Sequence, residues 1–199
     1  TSDVLTLYRF GQATRKTVSN NGLVGHWTFN EGTSTKAHDF SGNGNTGTLV
    51  ADPTWSAGKR GKSLLFNGST QTVSVPYSTT LDPTSQITIS AWVKPNAAAL
   101  DTYKEIWRKE NAARHLLSFQ ESAGCNAGGG TAGCISFGLN IASTYAELDV
   151  PINTQDYADQ WVLITATYDG SAKRVYRNGI LIGSASVSGA ISQGSATHF

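Results

Sequence analysis

Oxygen-bearing side chains are concentrated between residues 39 and 47, in the run DFSGNGNTG. Asp39, Asn43 and Asn45 would supply a carboxylate and two amide oxygens, and the glycines of the run let the backbone fold tightly. Hard cations such as calcium bind oxygen ligands of these kinds, so the run predicts a calcium site with Asp39 as its charged ligand. With one carboxylate, the Kd would be on the order of 10⁻⁴ to 10⁻³ M. The alternative is a loop held by its own hydrogen bonds, because Asp, Asn, Ser and Gly are also turn residues.

A second set of residues has the chemistry of a sugar-binding site. Tyr103, Trp107 and Arg114 belong to the more irregular stretch between the longer predicted strands. Aromatic faces combined with hydrogen-bond donors are the usual means of holding a small polar ligand. Trp92 shares one face of its predicted strand with hydroxyl residues, away from the apolar face, and is a further candidate for glycan contact. Partial burial beneath loops is the alternative for these side chains.

The carboxylates form no pattern typical of a glycoside hydrolase. Retaining hydrolysis needs two carboxyl groups about 5–5.5 Å apart, and residues two apart on a strand share a face. Glu147 and Asp149 come nearest to this spacing, but we expect them to be solvent-facing strand residues. The sequence also contains no G-x-S-x-G motif. It therefore favours a non-catalytic protein.

The two cysteines, Cys125 and Cys134, lie in the run GCNAGGGTAGC. The glycine-rich stretch between them could close easily, so we predict a disulfide, with two free thiols as the alternative. In the loop-entropy model this bond would contribute about 2.7 kcal/mol. The charged fraction of only 15% is typical of extracellular β proteins, and disulfides persist in oxidising compartments. We therefore expect an extracellular or cell-surface location.

Length and charge narrow the classes further. A chain of 199 residues fits one all-β domain. The formal net charge of +1 provides no electrostatic footprint for nucleic acid or an anionic membrane. No apolar run approaches the roughly 18 residues of a membrane span. The chain starts at Thr1, lacks methionine and has no visible signal peptide, so we expect a processed product or a fragment.

Strands dominate the elements that would position these residues. Residues 87–94 alternate apolar and polar side chains, as a half-buried strand does, and residues 160–168 form a similar run. Asn178-Gly179 between alternating runs predicts a hairpin, since both turn positions need positive φ. Further strands are predicted at residues 23–30, 63–67, 72–76, 105–108, 115–120, 135–139, 145–150, 173–177 and 180–183. Short antiparallel strands separated by turns predict a sandwich or jelly roll.

Several motifs resemble those of laminin-G-like jelly-roll domains, within the concanavalin A-like lectin and glucanase superfamily. The runs GHWTFNEG and DFSGNGNTG match the opening of that family, and LLFNG, ITISAWVKP and YRNGILIG follow in the family's order. The resemblance covers about residues 23–194. It implies an all-β jelly-roll sandwich of two antiparallel sheets over residues 22–199, and it strengthens the calcium expectation.

The same resemblance implies non-catalytic recognition outside the cell. The expected activity is lectin-like binding or adhesion, with a glycan or another cell-surface ligand as the partner. An accessory domain of a glycan-active enzyme is an alternative. A fold of this kind hosts many functions, so these remain expectations.

The sequence departs from the family at both ends. Family domains end with a strand of the type G-x-I-D-E-V-R-I-Y beside their first strand, and this chain stops before such a strand. Residues 1–21 form an N-terminal extension in which residues 3–10 alternate like a strand. An unpaired strand edge is a template for another chain, so residues 3–10 could fold back or insert into a neighbouring copy. A filament subunit built by strand donation is therefore a rival function; a final strand that was removed or lies on a separate chain is the simpler alternative.

Overall fold

The computed structural model describes residues 21–100, 102–110, 114–121, 125 and 133–194. In these ranges the chain is all-β, with helical residues confined to short 3-10 turns, and no helix is long and apolar enough to cross a membrane. The strands are β1 (Lys36–Ala37), β2 (Gly47–Val50), β3 (Thr54–Ala57), β4 (Lys62–Leu65), β5 (Thr72–Ser74), β6 (Ile87–Val93), β7 (Lys104–Lys109), β8 (His115–Gln120), β9 (Cys134–Ile141), β10 (Thr144–Pro151), β11 (Val162–Tyr168), β12 (Ala172–Arg177) and β13 (Ile180–Ser186).

Two four-stranded antiparallel sheets form the sandwich. The front sheet has the strand order β10-β9-β8-β7, and the back sheet has the order β13-β12-β11-β6. The core lies between them and includes Leu117, Phe137 and Ile164, all fully buried. Burying an apolar side chain of this size contributes about 1.5–3 kcal/mol. This architecture confirms the predicted jelly-roll fold.

Two smaller sheets accompany the sandwich. Strands β1, β2 and β5 form a three-stranded sheet in the order β1-β2-β5, and β3 pairs with β4. The sequence did not indicate β1, β2 or β3, because runs of two to four residues are too short to display an alternating pattern. Within the described ranges there are therefore four sheets where the pattern of the sequence predicted two.

The predicted alternation along residues 87–94 is present in β6. Ile87 and Val93 pack against the core, whereas Trp92 points to the outer face of the back sheet and is 38% exposed. Trp92 lies opposite Leu163 of the neighbouring strand β11. The outward direction predicted for Trp92 is therefore confirmed.

The Asn178-Gly179 turn joins β12 to β13, as predicted. Both residues have positive φ, 51° at Asn178 and 83° at Gly179. Leu163 of β11 fixes the turn by donating its N–H to the Asn178 side-chain oxygen at 2.9 Å and accepting the Asn178 N–H at 2.8 Å. The hairpin is thus anchored to the back sheet by an asparagine that also tolerates the left-handed conformation.

The strand predicted at residues 23–30 does not form. The segment makes one isolated bridge, between Trp27 and Asp39. Phe29 has a φ of 52°, a left-handed conformation that interrupts an extended run. The Trp27 ring folds over Gly25, where an added Cβ would lie 2.3 Å from the ring. Among the described residues, no strand pairs with the far edge of this segment.

Some predictions fall on residues that the structure does not describe. They include the donated strand at residues 3–10 and the rest of the extension up to residue 20. The last described residue is Gly194. The domain boundaries and the missing end strand therefore stay predictions.

A buried ion pair ties β7 to the last described residues. The Lys109 ammonium donates to the Asp82 carboxylate, and both side chains are buried. The other carboxylate oxygen of Asp82 accepts the Gly194 N–H at 3.1 Å, and the Asp82 carbonyl accepts from the Gln193 amide at 3.2 Å. Removing one partner of a buried pair costs about 3–5 kcal/mol, so this pair fixes the position of β7 relative to residues 193–194.

Candidate functional site

The run from residue 39 to residue 47 forms a loop organised around the carboxylate of Asp39. One carboxylate oxygen accepts the N–H groups of His26 at 2.9 Å and Ser41 at 2.8 Å. The other accepts the Ser41 hydroxyl and the Asn45 N–H, each at 2.8 Å. The Asn45 amide is buried and donates to the Val24 carbonyl at 2.8 Å. These bonds lock the loop onto residues 23–30.

This hydrogen bonding bears on the predicted calcium site. A carboxylate has about four lone-pair positions, and four protein donors already use those of Asp39. The Asn43 side chain donates through its amide nitrogen to the Leu23 carbonyl at 3.1 Å, a contact that does not use the amide oxygen that a cation would bind. Calcium binding through Asp39 would require the carboxylate to give up some of these donors, and the calcium site stays a prediction. The residues match the alternative, a loop held by its own hydrogen bonds.

The pKa of Asp39 reflects the same contacts. Burial alone would raise the pKa of this carboxyl group. The hydrogen bonds from Ser41, His26 and Asn45 favour the ionised form and outweigh burial, so the pKa lies below its ordinary value of 3.8. The ionised Asp39 is therefore part of the folded structure.

The face of the front sheet that points away from the core carries a row of polar residues. The strand registers align Glu105, Ser118, Ser136 and Asp149, one residue from each of the four strands. At the usual strand spacing of 4.7–4.9 Å, this row is ~14 Å long. Ser118 and Ser136 are fully buried at its centre. The row has an acidic group at each end, on the two edge strands of the sheet, and hydroxyl groups between them.

Next to this row lies the front cluster, which we define as Tyr103, Arg114, Gln120, Tyr145 and Glu147. The Arg114 guanidinium lies 4.5 Å from the centre of the Tyr145 ring and donates to the Tyr103 hydroxyl at 3.5 Å. Tyr103 is 42% exposed, so the cluster reaches solvent at this residue. The cluster therefore combines two rings with a cation, the combination that the sequence predicted for Tyr103 and Arg114.

A carboxylate completes the front cluster. Glu147 accepts the Tyr145 hydroxyl at 2.6 Å on one oxygen and the Gln120 amide at 2.9 Å on the other. Burial, reinforced by the bond to Glu147, raises the pKa of Tyr145, and burial likewise raises the pKa of Tyr103. Both phenols therefore keep their protons at neutral pH. Two described donors on Glu147 leave about two of its acceptor positions for a ligand.

A glycine positions the central ring of the cluster. Gly138 lies directly opposite Glu147 on β9, and a Cβ added there would lie 2.1 Å from the Tyr145 hydroxyl. Only a residue without a side chain lets the Tyr145 ring lie over the sheet at this point. This contact could not be predicted from the sequence, because it depends on the register between β9 and β10.

Glu147 and Asp149 are strand residues on the face of β10 that points away from the core, as predicted, but they are only partly exposed to solvent. Both side chains are half-buried, and Asp149 accepts a hydrogen bond from the buried hydroxyl of Ser136. The two carboxylates share a face, as their spacing predicts, and that face carries the polar row of the front sheet. The sequence did not indicate their partners, because alternation identifies a shared face without saying what lies across it.

The structure separates the other predicted ligand residues from the front cluster. Trp92 lies on the outer face of the back sheet, with the Lys59 ammonium 5.4 Å from the centre of its ring. Trp107 packs against the core, and its ring centre lies 5.8 Å from that of Trp27. Of the four predicted residues, only Tyr103 and Arg114 come together.

The predicted disulfide is confirmed. Cys125 and Cys134 are bonded, and their Cα atoms are 6.0 Å apart. Cys134 is buried at the start of β9, two residues before Ser136. The bond therefore anchors Cys125 beside the polar row of the front sheet.

Comparisons with solved structures reveal the same architecture elsewhere. The binding domain of Paraclostridial Mosquitocidal Protein 1 is similar, with a TM-score of 0.62 and 17% identity over 84% of this chain. This chain covers only 42% of that chain's length. Domain 4 of AbnA, a GH43 extracellular arabinanase from Geobacillus stearothermophilus, solved in complex with arabinotriose, has a TM-score of 0.60 and 21% identity over 88% of this chain and 81% of its own. At these identities the likeness concerns the fold.

Sequence comparison with curated proteins finds no match. A family profile described as the concanavalin A-like lectin/glucanases superfamily matches residues 67–199. The matched region contains both four-stranded sheets and the whole front cluster. This is the family that the sequence motifs resemble, and the sandwich has its architecture. The chain belongs to the concanavalin A-like lectin/glucanases superfamily.

Proposed function

We propose that this domain is a non-catalytic carbohydrate-binding module and that the front cluster is its ligand site. The observation that carries the proposal is the stacking of Arg114 on Tyr145 beside the partly used carboxylate of Glu147. Rings offer a stacking surface for the apolar face of a sugar, and Arg114 and Glu147 offer a donor and an acceptor for its hydroxyl groups.

The polar row supports a ligand of more than one sugar residue. It crosses all four strands from Glu105 to Asp149, over ~14 Å. Ser118 and Ser136 in its middle are fully buried, so a ligand would meet the row at Glu105 and Asp149, and one that contacts both must span that distance. An oligosaccharide chain fits this arrangement better than a single sugar does.

An accessory module of a glycan-active enzyme is the second candidate. The similar domain 4 belongs to an extracellular arabinanase and was solved with arabinotriose. A module of that kind would keep its enzyme close to a polysaccharide without taking part in hydrolysis. The disulfide supports a location outside the cell for either candidate, and adhesion to a cell-surface glycan is compatible with the same site.

Calorimetric titration with neutral oligosaccharides, arabinotriose included, tests the proposal. Arg114→Ala removes the stacked donor and should weaken binding about tenfold, the effect of about 1.4 kcal/mol. Glu147→Gln keeps the shape of the side chain, removes its charge and should also weaken binding. Tyr145→Phe removes the hydroxyl group that orients Glu147 and should have a smaller effect.

Matched controls lie on the outer side of the back sheet. Arg174 pairs with Asp169 there, and Tyr176 lies beside it on β12. Arg174→Ala and Tyr176→Phe should leave the Kd unchanged. The proposal fails if no oligosaccharide binds, or if the control variants weaken binding as much as the front-cluster variants do.

A further inference from the structure

We propose that Lys173 is a positioning residue for the front cluster and that its positive charge maintains the ligand affinity of that site. This inference rests on the proposed carbohydrate-binding function and adds a form of regulation to it. Lys173 belongs to the back sheet and is not a member of the front cluster. Its side chain nevertheless reaches the strand that carries Tyr145 and Glu147.

The side chain of Lys173 points into the sandwich. It lies on β12 opposite Tyr168 of β11, whose side chain belongs to the core. Val175, two residues later and on the same face, is fully buried. Lys173 itself is 2% exposed. A long cationic side chain in this position needs a partner, because an unpaired buried charge is costly.

The partner of Lys173 belongs to the front sheet. Its ammonium group donates a hydrogen bond to the carbonyl of Ala146 on β10. Ala146 lies between Tyr145 and Glu147 in the sequence, and β10 is the edge strand of its sheet. Lys173 therefore links the two sheets at the backbone position that separates two members of the front cluster.

The surroundings of Lys173 allow its charge to change near neutral pH. Burial lowers the pKa of Lys173 to about 8, although the charges of Glu147 and Asp149 on β10 act in the opposite direction. From β11, Tyr168 faces it, but burial raises the pKa of Tyr168 and its hydroxyl donates to the Gly189 carbonyl at 2.7 Å. The residue opposite it on β13 is Ala185, which does not titrate.

Loss of the proton changes the site in a definite direction. Below pH 8 the ammonium group makes a charge-assisted hydrogen bond, which is about twice as strong as a neutral one. Above pH 8 the link to Ala146 weakens, and Glu147 and Asp149 lose the cation behind them. We therefore expect ligand affinity to fall as the pH rises from 7 to 9.5. Tyr103 and Tyr145 keep their protons in this interval because the pKa of each is raised.

The same titration changes the stability of the fold in the opposite direction. The pKa of Lys173 in the folded protein lies below its ordinary value of 10.5. Between pH 8 and 10.5 the unfolded chain binds more protons at this lysine than the folded chain does, so this contribution to stability rises with pH. As the pH rises, ligand affinity should fall while the contribution of Lys173 to stability increases. General loosening of the protein at alkaline pH would instead lower both.

The experiment measures the Kd for a neutral oligosaccharide that binds at pH 7, together with urea unfolding, from pH 6.5 to 9.5. The wild-type Kd should rise several-fold across pH 8. Lys173→Met fills the same space without a charge and should bind weakly with little dependence on pH. Lys173→Arg keeps a cation throughout and should flatten the profile at the tighter value. Lys36→Met, an exposed lysine of β1, is the matched control and should follow the wild-type profile.

Amide hydrogen exchange without ligand separates this inference from the proposed function. Lys173→Met should exchange faster than wild type along β10 (Thr144–Pro151) and unchanged along β11. Equal exchange in β10 would overturn the positioning role, whether or not any sugar binds. If wild type binds sugar and Lys173→Met binds it with the same pH profile, the inference is overturned while the proposed function stands. Failure of wild type to bind any sugar at any pH would overturn the proposed function and the role assigned to the charge.

Discussion

At the level of single residues, the number of hydrogen bonds that a carboxylate already accepts decides what else it can bind. Asp39 has four protein donors and Glu147 has two. Both side chains are half-buried acidic groups beside glycines. The sequence predicts a ligand at Asp39, where the acceptor positions are used. It predicts only a solvent-facing strand residue at Glu147, where some of these positions remain.

Asp39→Ala should destabilise the fold by about 2–3 kcal/mol, because hydrogen bonds to a charged group contribute about 1.5–3 kcal/mol and the loss leaves several N–H groups without a partner. Urea unfolding at pH 7 measures this loss. Because the pKa of Asp39 is lowered in the folded protein, its contribution to stability is fully present above pH 3.8 and is lost as the pH falls further. The difference in unfolding free energy between wild type and Asp39→Ala should therefore be smaller in acid than at pH 7. A difference that does not depend on pH would contradict this sign.

The same assay tests calcium, which stays a prediction from the sequence. If calcium bound with a Kd of about 10⁻⁴ M, about 2 mM calcium would add about 1.8 kcal/mol, and Asp39→Ala would abolish the gain. The hydrogen bonding of Asp39 leads us to expect equal stability in calcium and in a chelator. A calcium-dependent gain in wild type would show that the loop opens to bind the ion.

Among the elements, β6 and β7 place their tryptophans in different surroundings. Trp92 of β6 is exposed on the back sheet, and Trp107 of β7 packs against the core and Trp27. A β-bulge between Glu105 and Trp107 shifts the register of β7 against β8. Simple alternation along β7 therefore does not give the direction of Trp107, because the extra residue changes which side chains share a face.

Trp107→Ala should cost about 2–3 kcal/mol, below the 3–5 kcal/mol of a fully buried tryptophan, because Trp107 is only partly buried. Trp92→Ala is the matched substitution and should cost about 0.5–1 kcal/mol, the scale of its contact with Lys59. Urea unfolding of both variants measures the contrast. Equal losses of stability in the two variants would contradict the packing role of Trp107. A loss of sugar affinity in Trp107→Ala at unchanged stability would indicate that Trp107 contacts the ligand.

Regular alternation made most of the sandwich predictable, and side-chain contacts between distant residues made the rest unpredictable. The runs that became β6, β8 and β11 carry enough residues to display a period of two. Residues 23–30 display it as well, but hydrogen bonds from Asn43 and Asn45 hold that segment against a loop without forming a strand. The front cluster depends on the register of β8, β9 and β10, which single-strand patterns do not contain.

For the molecule as a whole, strand donation through residues 3–10 stays a prediction. The segment that would receive a strand, residues 23–30, is paired along one edge by a single bridge. If residues 3–10 fill the other edge, deleting residues 1–10 should lower the melting temperature, because strand addition satisfies main-chain groups. If they insert into a neighbouring copy, the deletion should also convert assemblies to monomers in light scattering. Unchanged stability and mass would exclude both forms.

The two outer faces of the sandwich point in opposite directions, with Tyr103 exposed on one and Trp92 on the other. A single bound chain cannot touch both, since the whole core lies between them. If each face holds polysaccharide, the domain has a valence of two and acts as a crosslink between separate fibres. Turbidity of a dilute polysaccharide would then rise and fall with protein concentration, as in a precipitin curve, and Trp92→Ala would abolish the turbidity while single-chain affinity persists.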